Sequence, residues 1–243
     1  MSLLKRLTDN TEGKRYLLLM KLGQELHIPI PEVFLTLEVF DKDGKLVQKL
    51  HQRSHSWVRN AYTHLYCMMA SANAPDPTYG AGYLNIKRFT DGLIFAVARS
   101  PGWTNANVET IGNMGFCSGA GDTTFGIVVG TSSQAESFDD WQLISKIANG
   151  TGASQLTYQA HEAIVKSYES GTKTQKVEHK RYFNNNSGGT ISVNEVGIVG
   201  RMWFNMDSNR YALHSRDVLA STINIPNTGQ LKVTYTIQLT YPA

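Results

Sequence analysis

The sequence predicts a mainly β protein, an antiparallel β-sandwich of jelly-roll type with one amphipathic helix packed on the sheet and an N-terminal arm. Three observations predict it. Residues 231–241 alternate without a break, Leu231, Val233, Tyr235, Ile237, Leu239 and Tyr241 on one face and Lys232, Thr234, Thr236, Gln238 and Thr240 on the other. That two-residue period marks a strand with one buried and one wetter face. Residues 33–50 show the same alternation twice, around a turn from Asp41 to Gly44, and read as a hairpin. Finally, 243 residues are enough for one large β domain whose core needs no staples. The expected layout is an arm over 1–30 and a single sandwich over 31–243, with a helix inserted at about 54–70.

In order, residues 1–30 mix Lys5, Arg6, Lys14, Arg15 and Lys21 with the apolar run Tyr16–Met20, and end at Pro29 and Pro31, which enforce extended backbone. It reads as an arm that packs on a neighbouring subunit or folds back locally, or else as a frayed terminal helix. After the hairpin, Val58, Ala61, Tyr62, Leu65 and Met69 recur at helical spacing, with Ser54 or Ser56 as cap and Arg59, Asn60 and Thr63 on the opposite, solvent face. Residues 71–82 form a loop. Leu93–Ala98 reads as a buried strand, Ser100–Trp103 as a turn, and the rest of 83–116 as loop. Ile127–Gly130 is a short buried strand, and Asp139–Ile144 a helical turn capped by Ser137. Strands follow at Leu156–Tyr168, Thr174–Phe183 and Ile191–Val199, with the Asn184–Gly189 turn supplying residues that tolerate positive φ.

The composition does not favour catalysis or nucleic-acid binding. A net charge of +3 is too small for phosphate recognition, which needs clustered cations. Lys173, Lys176, Lys180 and Arg181, interleaved with Glu178 and His179, read as a solvated strand face. Cys67 and Cys117 read as buried thiols in a reducing cell, although spacing alone leaves a disulfide between them open. The Tyr16–Leu22 run is broken by Lys21 and lacks a cleavage site, so it does not read as a secretion signal. No segment approaches the ~20 apolar residues of a membrane span.

Of the seven histidines, His51, His55 and His64 lack an HExxH-type carboxylate, and neighbours His161 and Glu162 point to opposite strand faces. They read as solvent or packing residues. Asp139 and Asp140 read as helix-dipole partners rather than an acid–base pair. Gly115, Gly119, Gly121, Gly126 and Gly130 form no phosphate-loop motif and read as turn glycines. The sequence therefore offers no catalytic, cofactor-binding or metal residue. Tyr79, Tyr83, Trp103 and Trp203, in or near loops, suit either a subunit contact or a sugar platform.

Several blocks occur in a characteristic order. They are Gly126–Thr131; Trp141–Leu143 with Ile147–Gly152; Arg181–Asn185 with Ser187–Ile191; Asn194–Ile198; and Arg216–Leu219 leading to Ile225–Ile237. Over about half the chain this order resembles uncharacterised virion proteins of tailed phages. The resemblance implies a β-sandwich subunit encoded among head and tail genes, and leaves open whether it sits on the capsid, at the neck or on the tail. Joined to the residue reading, the expectation is a capsid decoration or minor head protein or a tail-associated subunit, whose partners are other copies of the chain and other virion proteins. The residues themselves, with no catalytic constellation, a low net charge and no apolar span, lead us to expect no enzymatic activity, no cofactor, no specific nucleic acid and no membrane. The implied location is the virion, after synthesis as a soluble protein in the host cytoplasm. The alternative expectation is a carbohydrate- or receptor-binding fibre module that takes a host-surface glycan. Within Asn194–Ile198, Glu195 is either partnered by Arg216 or a neighbouring subunit, or an isolated surface glutamate.

Overall fold

The computed structural model describes residues 12–69, 85–96, 111, 115–204 and 207–242. The fold is mainly β, with antiparallel sheets arranged as a sandwich and no barrel. It begins with helix α1 (Glu12–Glu25), rich in Leu and Lys, which favour helix. His27 ends it in the left-handed region (φ 54°), while the Ile28 and His27 amides donate to the carbonyls of Gly23 and Gln24. This is a Schellman closure with histidine where glycine is usual. Tyr16 lies under the Arg53 guanidinium at 4.5 Å. Gly23 sits so close to Ile30 that a Cβ would stand 2.5 Å from its Cδ1.

Strands β1 (Pro31–Phe40) and β2 (Leu46–Arg53) form the hairpin, and Gly44 in its turn has φ 75°. Two short segments, β3 (Asn85–Lys87) and β4 (Ile94–Ala96), pair separately. Beyond them come β5 (Gly126–Gly130), β6 (Thr157–His161), β7 (Val165–Glu169), β8 (Thr174–Asn184), β9 (Ile191–Phe204), β10 (Asp207–Ile225) and β11 (Gln230–Thr240). The large sheet runs β2-β1-β11-β8-β6, with β7 also on β8, and the smaller one runs β10-β9-β5. Between them lies one core. Val33, Leu35, Leu37 and Val39 of β1 and Leu231, Val233 and Tyr235 of β11 meet Ile127 and Val129 of β5, Val193 of β9 and Leu213 and Ile223 of β10.

Four expectations are corrected. Helix α2 (Arg59–Met69) buries Asn60, Ala61, Thr63 and His64 and exposes Tyr62 and Leu65, so its inward face is partly the polar one. The reason is Asn60, whose side chain bonds the Lys87 amide (3.0 Å) and carbonyl (2.9 Å) and so docks β3 as another strand would. The strand at 93–98 is not buried over its described part: Leu93 and Ile94 are exposed in a short hairpin arm. Ser137–Asp140 makes one turn and no helix follows, because the Asp140 carboxylate faces inward to Arg216. Leu156–Tyr168 is two strands, β6 and β7, broken at 162–164.

The longest strand, β10, has no counterpart in the sequence reading. It carries register shifts at Leu213/Ser215 and Val218/Ile223. Residues 54–58 run beside it, with Val58 donating to the His214 carbonyl and Arg216 to that of Ser56. The segments 71–82 and 97–103 and the side chain of Cys67 lie outside the described residues, while Cys117 is fully buried.

Candidate functional site

The polar centre of the molecule is built on Ser215, Arg216 and Asp217 of β10, all buried. Asp217 Oδ2 accepts from three hydroxyls, Ser54 (2.8 Å), Ser215 (2.7 Å) and Tyr235 (2.9 Å), while Oδ1 receives only a 3.3 Å contact from the His55 amide. Burial raises the Asp217 pKa more than the hydroxyls of Ser215, Ser54 and Tyr235 lower it. Glu136 lies alongside, its Oε1 accepting from the Val218 amide at 2.7 Å and its Oε2 3.4 Å from His55 Nδ1. His55, Glu136 and Val218 border an open cleft of about 740 Å3 between α1, β2 and β10, lined also by Tyr16, Phe34, His51 and Arg53. His51 stacks on Phe34 and shares a 2.8 Å hydrogen bond with Thr36.

The flanking charges hold loops in place. Arg216 donates from Nε to Glu195 (2.7 Å) and from Nη1 to Asp140 (2.9 Å), and Nη2 reaches the Gln134 carbonyl (2.9 Å). Glu195 also accepts from the amides of Ser145 and Ile144. Desolvation opposes the Arg216 charge, yet Glu195 and Asp140 together raise its pKa. The sequence raised the Glu195–Arg216 pairing as one alternative; both residues are fully buried.

Arg181 is a correction, since it does not share the solvated face that Lys176 and Lys180 make around Glu178. It is buried against Tyr158 and donates to the carbonyls of Gln159, Ile127, Gly119 and Asp122. Burial pushes its pKa down to about 10, although Tyr158 and the Asp122 carboxylate oppose the fall.

Four histidines are internal: His64, His161, His179 and His214. His214 Nδ1 lies 2.9 Å from the Ala212 carbonyl, so Nδ1 carries the proton and Nε2 accepts from His64 Nδ1 at 3.1 Å. His161 Nε2 accepts from the Ile127 amide. Burial pushes His64 and His179 down to about 4 and His214 to about 3. Gly126 and Gly130 are strand rather than turn glycines: His161 and Ser118 crowd the first, and Glu195 and the Ser145 carbonyl the second.

A second feature is an apolar ledge. The face of the six-stranded sheet that carries buried Val233 and Tyr235 becomes exposed toward the end of β11. Leu239 is 39% exposed, Tyr241 60%, and Tyr168, in the same cross-strand row through Gln175, is 62% exposed. Exposed Ile28 adjoins Tyr241 across a cavity of about 330 Å3. Leu17 and Leu19 of α1 are exposed as well.

Of the aromatics singled out in the sequence, Tyr79, Tyr83 and Trp103 lie outside the described residues, and Trp203 lies one residue from the end of β9. Asp139 pairs with Arg59 and Asp140 with Arg216, so the structure separates their roles. Sequence reasoning missed Asp217 and Glu136 as a pair; they are far apart in the chain, and only the β10 fold and the 131–146 loop join them. No protein-family model, curated protein or solved structure matches this chain. No helix among the described residues is long and apolar enough to cross a membrane.

Proposed function

We propose that the chain is a structural subunit of a tailed-phage virion, a head decoration or minor head protein or a tail-associated subunit, that works by packing against copies of itself. The apolar ledge carries this reading. Tyr168 and Leu239 on the sheet, and Tyr241 just past the end of β11, lie open to solvent in one apolar patch. Burying each gains about 1.5–3 kcal/mol. Three such residues gain at most about 4.5–9 kcal/mol, comparable to the association cost of about 4–15 kcal/mol, which suits a weak contact repeated through a symmetric assembly. The order of the sequence blocks supplies the virion context.

Sedimentation velocity over a concentration series tests it. Wild type is expected to form larger species as concentration rises, and the double variant Tyr168→Lys, Leu239→Lys to remain monomeric with an unchanged melting temperature. A wild-type monomer at every concentration, or a variant that associates equally well, refutes the proposal.

A further inference from the structure

We propose that His55, Glu136 and Asp217 form a binding site for one divalent transition-metal ion of the zinc type, set at the lip of the cleft beside β10. This rests on side-chain geometry and is independent of the assembly reading.

One donor atom from each of the three residues lies within 4.8 Å of the others. His55 Nδ1 and Glu136 Oε2 are 3.4 Å apart, the separation of two ligands about 2.0–2.1 Å from a tetrahedral ion. His55 is exposed, so its ring can turn to complete the set.

The supporting hydrogen bonds leave Glu136 Oε2 open and Asp217 Oδ1 with only a long 3.3 Å contact from the His55 amide. Glu136 Oε1 is occupied by the Val218 amide, which leaves Oε2 toward the imidazole. Asp217 Oδ2 is saturated by three hydroxyls, which leaves Oδ1. Ligating carboxylates are commonly oriented by such second contacts.

The charge balance points the same way. Asp217 is fully buried, and every hydrogen bond it accepts comes from a neutral donor: Ser54, Ser215, Tyr235 and the His55 amide. Glu136 brings a second carboxylate to the same spot. Buried charges are ordinarily paired or bound to metals, and a dication here would neutralise both. A mixed imidazole and carboxylate set suits zinc-type ions better than Ca2+ or Mg2+. Such an ion would staple the segment after β2, the 131–146 loop and β10, with a fourth position facing the cleft.

The competing account is a surface His55–Glu136 ion pair worth about 0–1 kcal/mol. Calorimetric titration of the metal-stripped full chain with Zn2+ separates the two. Wild type is expected to bind one ion and to melt at higher temperature with it. His55→Ala and Glu136→Gln are each expected to weaken binding by about a hundredfold, whereas His51→Ala, in the same cleft, leaves it unchanged. Co2+ substitution is expected to give the intense visible bands of a four-coordinate site. Absence of wild-type binding overturns the proposal, as does binding retained in His55→Ala or lost in His51→Ala.

Discussion

Glu195 and Asp139 are both carboxylates facing an arginine, and their surroundings give them opposite weight. Glu195 and Arg216 are fully enclosed, whereas Asp139 is half exposed beside Arg59. Removing one member of a buried pair leaves an uncompensated charge, so Glu195→Gln is expected to cost about 3–5 kcal/mol in urea unfolding. Asp139→Asn is expected to cost about 0–1 kcal/mol. Gly130 extends the same logic to the backbone. A Cβ there would collide with the Glu195 carboxylate and stand 2.6 Å from the Ser145 carbonyl. Gly130→Ala is expected at the upper end of the about 1–3 kcal/mol typical of overpacking. Gly189→Ala, with nothing near its Cβ position, is expected to be neutral in the same assay.

Helix α2 shows how one polar side chain can override an apolar stripe. Asn60 is buried because it serves the Lys87 amide and carbonyl. Asn60→Ala would leave both groups without that partner and is expected to cost about 2–4 kcal/mol, read from the denaturation midpoint. The same override limits what the sequence discloses. Strands β1 and β11 are legible because each pairs one apolar face with one polar face, and the structure aligns them from Pro31 opposite Leu239 to Phe40 opposite Gln230. Strand β10 is not legible, because Ser215, Arg216 and Asp217 interrupt its alternation and its bulges shift the register. Those residues are buried because partners from distant segments satisfy them, and periodicity cannot report such partners. The burial of Arg181 is hidden from periodicity for the same reason: its carbonyl acceptors lie in the 119–127 segment and β6, not in β8.

At the scale of the whole molecule, the internal histidines set a pH dependence. His64, His179 and His214 have folded-state pKa values of about 4, 4 and 3, below the ~6.5 of an unfolded chain. The unfolded state therefore takes up protons first. Stability is full above about pH 6.5 and falls as pH drops toward 4, by at most about 1.4 kcal/mol per pH unit for each histidine. Asp217, raised by burial, acts in the opposite sense, but it is one group against four internal histidines, since burial lowers His161 as well. Urea midpoints at pH 7.5 and 5.0 are expected to differ accordingly. His179→Leu, which removes a ring nitrogen without a hydrogen-bond partner among the described residues, is expected to flatten the profile. The β1–β11 ladder has a mechanical consequence. Its ten paired positions put Pro31 beside Leu239, so tension applied through residues 31 and 240 pulls from the same end and opens the ladder rung by rung, like a zipper. Tension between residues 40 and 240 would instead load all the rungs in shear. The ledge lies at the end where the zipper opens, so a neighbouring subunit seated on it would hold shut the end from which this ladder peels.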